Sequence, residues 1–112
     1  MTGTASQIEW AGQIRARVDV EFHRVAEAFR TAAGNQLAED RRFDRDDTMS
    51  IVAILEEKRR EAMANDHAGY FIRNWQELTD QVRRTIAADA RYREIKSRRE
   101  MRRHAKSQDL NV

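Results

Sequence analysis

The stretch "IEWAGQIRARVDVEFHRVAEAFRTAA", residues 8–33, repeats an apolar residue every three or four positions. At 100° per residue these side chains fall within an arc of about 120°, the width of the buried face of an α-helix. We therefore predict a long first helix over about 6–33, which Gly34 and Asn35 would end. Trp10 lies just off the stripe. The stripe consists of Ile8, Ala11, Ile14, Val18, Phe22, Val25, Phe29 and Ala32.

A second helix is predicted after a connection at 35–47, where this periodicity is lost. Leu37 and Phe43 in the connection are expected to tuck under the bundle. The helix itself is predicted over about 49–65, and one of three polar residues is expected to cap its N-terminal amides. These residues are Asp47, Thr48 and Ser50.

A third helix follows the turn signal "NDHAGY", residues 65–70. The apolar stripes on the two sides of this turn would fall on nearly opposite faces of one continuous helix, so a chain reversal is predicted here. Beyond Ala90 the line of the third helix is polar, so its packing stripe is expected to end there. Either a projecting polar helix or a new helix hinged near 87–90 would follow. The stripe, whose aromatic rings are expected in the core, consists of Phe71, Trp75, Leu78, Val82 and Ile86.

The composition favours an all-α fold, since the chain has no Pro, only four Gly and 36% charged residues. We predict a small antiparallel helical bundle of three main helices, with 1–90 as the bundle domain and 91–112 as a basic C-terminal helical extension. The short second helix cannot cover the long first stripe, so we expect a homodimer in which two such stripes meet. Neither a long apolar run nor a signal-peptide pattern occurs, so we expect a cytoplasmic protein without membrane contact.

Basic residues are concentrated near the C-terminus. Residues 1–90 hold 13 basic and 16 acidic side chains, whereas 91–112 hold 8 basic and 3 acidic ones, so the two parts carry net charges of −3 and +5. On a helical wheel seven of these eight cations fall within an arc of about 160°, with Tyr92 among them and Arg93 outside. The predicted nucleic-acid-binding residues are Arg91, Tyr92, Lys96, Arg98, Arg99, Arg102, Arg103 and Lys106.

This arc predicts a small non-enzymatic protein that associates with nucleic acid, because guanidinium groups contact backbone phosphates and an aromatic ring stacks on an exposed base. Engaging about five phosphates would give a log–log salt slope near −4 to −5 on duplex DNA. A protein–protein adaptor that docks the basic helix on an acidic partner is the main alternative. A solvated helix end, whose cations favour the negative pole of the helix dipole, is the alternative without a partner.

No catalytic, cofactor or metal site is predicted. The stretch 44–55 begins like a calcium loop, but Met49 stands where glycine is needed and Leu55 where the bidentate glutamate belongs. Helical ribonucleases of the HEPN class place an arginine a few residues before a histidine, and a HEPN-like ribonuclease centred on Arg99 and His104 is the second alternative. All three histidines fit this spacing because arginine is frequent; the other pairs are Arg17–His23 and Arg60–His67.

Overall fold

The computed structural model describes the backbone of residues 1–75 and 78–110, and the side chains of 1–75 and 80–105. Within these ranges the chain is helical, which confirms that the fold is all-α. Five helices take the place of three main ones, because the third predicted helix is divided. No helix in the described ranges is both long and apolar enough to cross a membrane. The helices are α1 (Ala5–Ala38), α2 (Arg42–Ala64), α3 (Ala68–Asn74), α4 (Leu78–Ala87) and α5 (Ala90–Leu110).

α1 contains the predicted stripe but runs past the predicted stop. A capping box fixes its start: Thr4 Oγ1 accepts the amide of Gln7 at 3.2 Å, and the Gln7 side chain accepts the amide of Thr4 at 3.0 Å. Gly34 lies inside the helix, where it costs roughly 1 kcal/mol relative to alanine. The helix continues because Gln36 is buried against α2, and only residues 39–41 connect the two helices.

α2 begins at Arg42, inside the stretch that was predicted to be a connection. Arg41 stands at its N-cap position and makes no side-chain capping bond. The Thr48 hydroxyl donates to Gln36 Oε1 at 2.8 Å and ties α2 to the end of α1. The predicted caps all lie within the helix, which corrects the sequence prediction for Asp47, Thr48 and Ser50.

α1 and α2 lie side by side and run in opposite directions. Their polar contacts fall in reverse order along the two helices: Arg15 with the Met63 carbonyl, Arg30 with Glu56, and Gln36 with Thr48. α3 and α4 also pack on α1, and the middle of the first stripe, from Ala11 to Val25, is buried within one chain. Phe29 and Ala32 are half-buried, and Ile8 is exposed. The homodimer was expected because a second copy would cover this stripe. The chain's own helices cover most of the stripe, which weakens that reason, and the dimer stays a prediction.

The third predicted helix is interrupted at two places. α3 ends at Asn74, and α4 ends before a break at Ala88 and Asp89, where the sequence suggested a hinge. The Trp75 ring packs edge-on against Phe22 of α1, with the ring centroids 5.6 Å apart. The side chain of Leu78 lies outside the described residues. The other stripe residues are buried as predicted: Phe71, Trp75, Val82 and Ile86.

α5 packs along the N-terminal half of α2 instead of projecting from the bundle. Ile95 is 5% exposed and belongs to the same core cluster as Phe22 and Leu55. The break before α5 changes the helical phase, so the line through Ile95 faces the core and the line through Arg93 does not. The stripe of the third predicted helix therefore ends as predicted, and burial resumes on α5 along a different line, through Ile95, which the sequence did not predict.

Candidate nucleic-acid interface

The junction between α4 and α5 is built around the carboxylate of Asp89. Its Oδ1 accepts the amide of Arg91 at 2.8 Å and so caps α5. The Arg91 guanidinium lies 3.0 Å from Asp89 Oδ2 and 2.6 Å from Glu57, and Lys58 Nζ lies 3.3 Å from Asp89. The hydrogen bond from Arg91 lowers the pKa of Asp89 well below its usual range, although burial opposes this, and the bonds to Asp89 and Glu57 raise the pKa of Arg91.

Two acidic residues near the start of α2, Asp44 and Asp47, face the basic arc of α5. Arg102 Nη2 lies 3.3 Å from Asp44 and also forms an ion pair with Asp47. Arg99 Nε lies 3.6 Å from Asp44, and Arg98 lies 3.9 Å from Asp47. Burial raises the pKa of Asp44, but hydrogen bonding and charge from the surrounding arginines outweigh it and hold that pKa below its usual range.

Four of the eight predicted site residues therefore form ion pairs with carboxylates of the same chain, although Arg91 and Arg98 stay more than half exposed. The α4–α5 break turns the centre of the arc toward α2, and the aspartates that face it lie on a helix and not in the predicted loop. Lys96 and Arg103 are exposed and form no ion pair within the described part of the chain, Tyr92 is half-buried, and the Lys106 side chain lies outside the described residues. The assignment of these residues to nucleic acid stays a prediction. The engaged cations are Arg91, Arg98, Arg99 and Arg102.

A groove, here called the α2–α5 groove, runs between the start of α2 and the face of α5. It consists of two recesses of about 370 and 120 Å³ that share Arg99 and Arg103 in their walls. Its lining has six basic, three acidic, two aromatic and one aliphatic side chain, so its formal charge is +3. These are Arg41, Arg42, Lys96, Arg99, Arg102 and Arg103, then Asp40, Asp44 and Glu100, then Phe43, Tyr92 and Ile51.

Phe43 presents its ring to solvent at one end of the α2–α5 groove. Its side chain is 75% exposed, and the Arg102 guanidinium carbon lies 5.9 Å from the ring centroid, within the range of a cation–π contact. The prediction that Leu37 and Phe43 tuck under the bundle is wrong, because both are exposed. The sequence did not point to Phe43 as a site residue, since 35–47 was taken as a connection. The alternating arginines and aspartates of "RRFDRDD", 41–47, were the available signal.

The histidines do not gather at the α2–α5 groove. Arg99 and His104 are five positions apart on α5, which is about 140° around a helix, so they lie on different faces. His23 is exposed on α1, and His67 Nδ1 lies 2.7 Å from Thr2 Oγ1 near the start of α3. Among the described residues no group of three or more His, Asp or Glu side chains is placed to hold a metal ion.

Comparison with known proteins assigns no family to this chain. It matches no protein-family profile, no curated protein and no solved structure. The chemistry of the α2–α5 groove is therefore the basis for a functional proposal.

Acidification is expected to loosen α5 before it unfolds α1. Asp44 and Asp89 have folded-state pKa values below those of the unfolded chain, near 3.9, so the stability they contribute is present above that pH. It is lost as the pH falls below about 4, because the unfolded state then binds more protons than the folded one. Amide resonances followed by NMR from pH 6 to pH 2 should show α5 changing at a higher pH than α1.

The Asp89→Asn variant is the control for this titration. It lacks the capping carboxylate at every pH, so its α5 resonances should change less between pH 6 and pH 2 than those of the unaltered protein. If the amide resonances of α1 and α5 changed at the same pH, these carboxylates would not be what holds α5 to the bundle.

Proposed function

We propose that this protein is a small non-enzymatic binding protein that associates with single-stranded nucleic acid through the α2–α5 groove. The observation that carries the proposal is the exposed Phe43 ring at the end of a groove with a formal charge of +3. Proteins that hold single strands combine a positive groove along the backbone with aromatic side chains on which bases stack.

The α2–α5 groove supplies both elements of this chemistry. The cations without ion pairs, Lys96 and Arg103, can contact phosphate oxygens, and the Phe43 ring can stack on an unpaired base. Tyr92 lies at the other end, and the α5 segment between Tyr92 and Arg103 is about 17 Å long. Stacking requires a base that is not already paired, which favours single strands over duplex. Phosphates and ring faces are common to DNA and RNA, so both are expected to bind.

Removing the two unpaired cations should weaken this binding and flatten its salt dependence. The Lys96→Ala/Arg103→Ala variant loses two phosphate contacts, and each contributes about −0.7 to the log–log salt slope on a single strand. The slope should therefore become less steep by up to about 1.4. Fluorescence anisotropy with labelled dT12 and rU12, titrated at several salt concentrations, measures both affinity and slope.

Arg17→Ala/Arg60→Ala is the matched control. It removes the same charge from exposed residues of α1 and α2 that lie outside the groove and form no ion pair in the described chain. The control should bind nearly as the unaltered protein does. Equal losses in both variants would mean that net charge alone drives binding, and a flat salt dependence of the unaltered protein would remove the proposal.

A protein–protein adaptor is the second candidate, and an observation on α1 favours it. Trp10 is 50% exposed and Val20 is 66% exposed, both off the buried stripe, and tryptophan is enriched among residues that dominate interface energies. An acidic partner could in addition contact Lys96 and Arg103. A partner that co-purifies with the unaltered protein and is lost in Trp10→Ala would support this candidate. No observation favours a HEPN-like ribonuclease.

A further inference from the structure

We infer that Asp44 and Asp47 act as internal competitors for nucleic-acid phosphate. In the free protein they hold Arg98, Arg99 and Arg102, and a bound strand takes over these arginines. The inference rests on the proposed function and adds to it a device that limits affinity from within the chain. It also names the arginines that join the site only when nucleic acid is bound.

A phosphate can replace an aspartate carboxylate as the hydrogen-bond acceptor for these arginines. A carboxylate and a phosphate both accept N–H donors from a guanidinium in a planar, two-pronged geometry. Arg102 already contacts both Asp44 and Asp47, so its guanidinium is oriented for two anionic acceptors. A phosphate entering the α2–α5 groove meets this same guanidinium, because Arg102 and Asp44 both line the larger recess.

The internal ion pairs leave part of the donor capacity unused. Arg41 also contacts Asp44, at 2.8 Å, and pairs with Glu39, so four guanidinium groups share three carboxylates here and one positive charge is uncompensated. Arg98 approaches Asp47 only to 3.9 Å, and Arg99 Nε is buried and donates to no acceptor among the described residues. Arg98 is 55% exposed, so a phosphate can supply the acceptor that it lacks, and the exchange then adds a hydrogen bond.

The part of α5 that carries these arginines is packed loosely against the bundle. Ile95 is buried, but no described α5 side chain after it is. Ion pairs to α2 therefore hold the outer part of α5. Arg98 and Arg102 keep 55% and 39% of their side chains exposed, whereas Asp44 and Asp47 are largely covered. A strand that offers several phosphates can reach the exposed side of Arg98 and Arg102 without unfolding the bundle.

The test is the Asp44→Asn/Asp47→Asn variant, which keeps side-chain shape and removes both competing charges. Binding to labelled dT12 and rU12 should become roughly ten-fold tighter at low salt, because no internal ion pair then has to be broken before these arginines meet phosphate. The matched control Asp46→Asn/Glu61→Gln removes the same charge from exposed α2 residues that make no contact with α5. Affinity for both oligonucleotides should change much less in the control.

A measurement on the unaltered protein covers the case in which the variant loses α5 packing. Arginine Nε–Hε resonances of Arg98, Arg99 and Arg102 should shift when dT12 binds, whereas that of Arg91 should not. Unshifted resonances in a protein that binds dT12, or a double variant that binds no tighter than the control, would overturn the inference and leave the groove proposal in place. Failure of every variant to bind either oligonucleotide would overturn both.

Discussion

Replacing Phe22 by alanine is expected to lower the free energy of unfolding by about 3–5 kcal/mol. Phe22 is 1% exposed and joins α1 to the end of α3 through its edge-on contact with Trp75. The substitution removes this aromatic contact and leaves a cavity that the neighbouring helices can fill only in part. A small domain is stable by about 5–15 kcal/mol in total, so the loss is a large fraction of the stability. Urea denaturation followed by far-UV circular dichroism measures it.

Phe43→Ala is the control for this substitution. It deletes the same side chain at a position that is 75% exposed, so the free energy of unfolding should change by no more than about 0.5 kcal/mol. Similar losses for Phe22→Ala and Phe43→Ala would mean that Phe22 does not lie in the core described here. The same Phe43→Ala protein should bind single-stranded oligonucleotides more weakly, since stacking contributes about 1–3 kcal/mol per base.

Replacing Ile95 by aspartate is expected to detach α5 while α1 and α2 stay folded. Ile95 is the buried apolar side chain that joins α5 to the core, and losing such a side chain costs about 2–5 kcal/mol. A carboxylate placed there without a partner is disfavoured further. Hydrogen exchange should show amide protection lost throughout α5 and kept in the middle of α1, because local opening then needs far less free energy than global unfolding. Nucleic-acid affinity should fall, since α5 forms one wall of the groove.

Ser97→Asp introduces the same charge at an exposed position of α5 and is the matched control. Its α5 amides should stay protected, because an exposed carboxylate needs no partner. Equal loss of protection in α1 and α5 of the Ile95→Asp protein would show that α5 unfolds only together with the bundle. Its release from α2 would then be too costly for the exchange of arginines proposed above.

The helix boundaries show where local signals were sufficient and where they were not. The middle of the α1 stripe, from Ala11 to Val25, was predicted correctly because apolar periodicity is a property of the segment that forms the helix. Its end was not, because Gly34 is tolerated once Gln36 is buried against α2. Residues 42–47 were assigned to a connection because they are polar, yet they form the start of α2. These residues are helical because of contacts with other helices, and the apolar periodicity of the segment does not reveal such contacts.

The candidate site, too, was predicted only in part from the sequence. The concentration of cations in 91–112 was visible in the sequence, and the break near 87–90 was one of the two continuations predicted. Which cations meet solvent was not visible, because two non-helical residues between α4 and α5 change the phase of the basic arc. Phe43 was missed for the same kind of reason, since its exposure depends on how α5 lies beside α2.

By itself the sequence determined that the chain is helical, that one long stripe organises the core, and that Phe71 and Trp75 are buried. These properties follow from spacing within single segments, where turn geometry alone sets which side chains share a face. Only the tertiary structure decided that Arg102 meets Asp44 and Asp47, which lie 58 and 55 positions away along the chain. Contacts between residues so far apart in sequence depend on how the helices pack against one another. The whole core determines that packing, so no single segment predicts it.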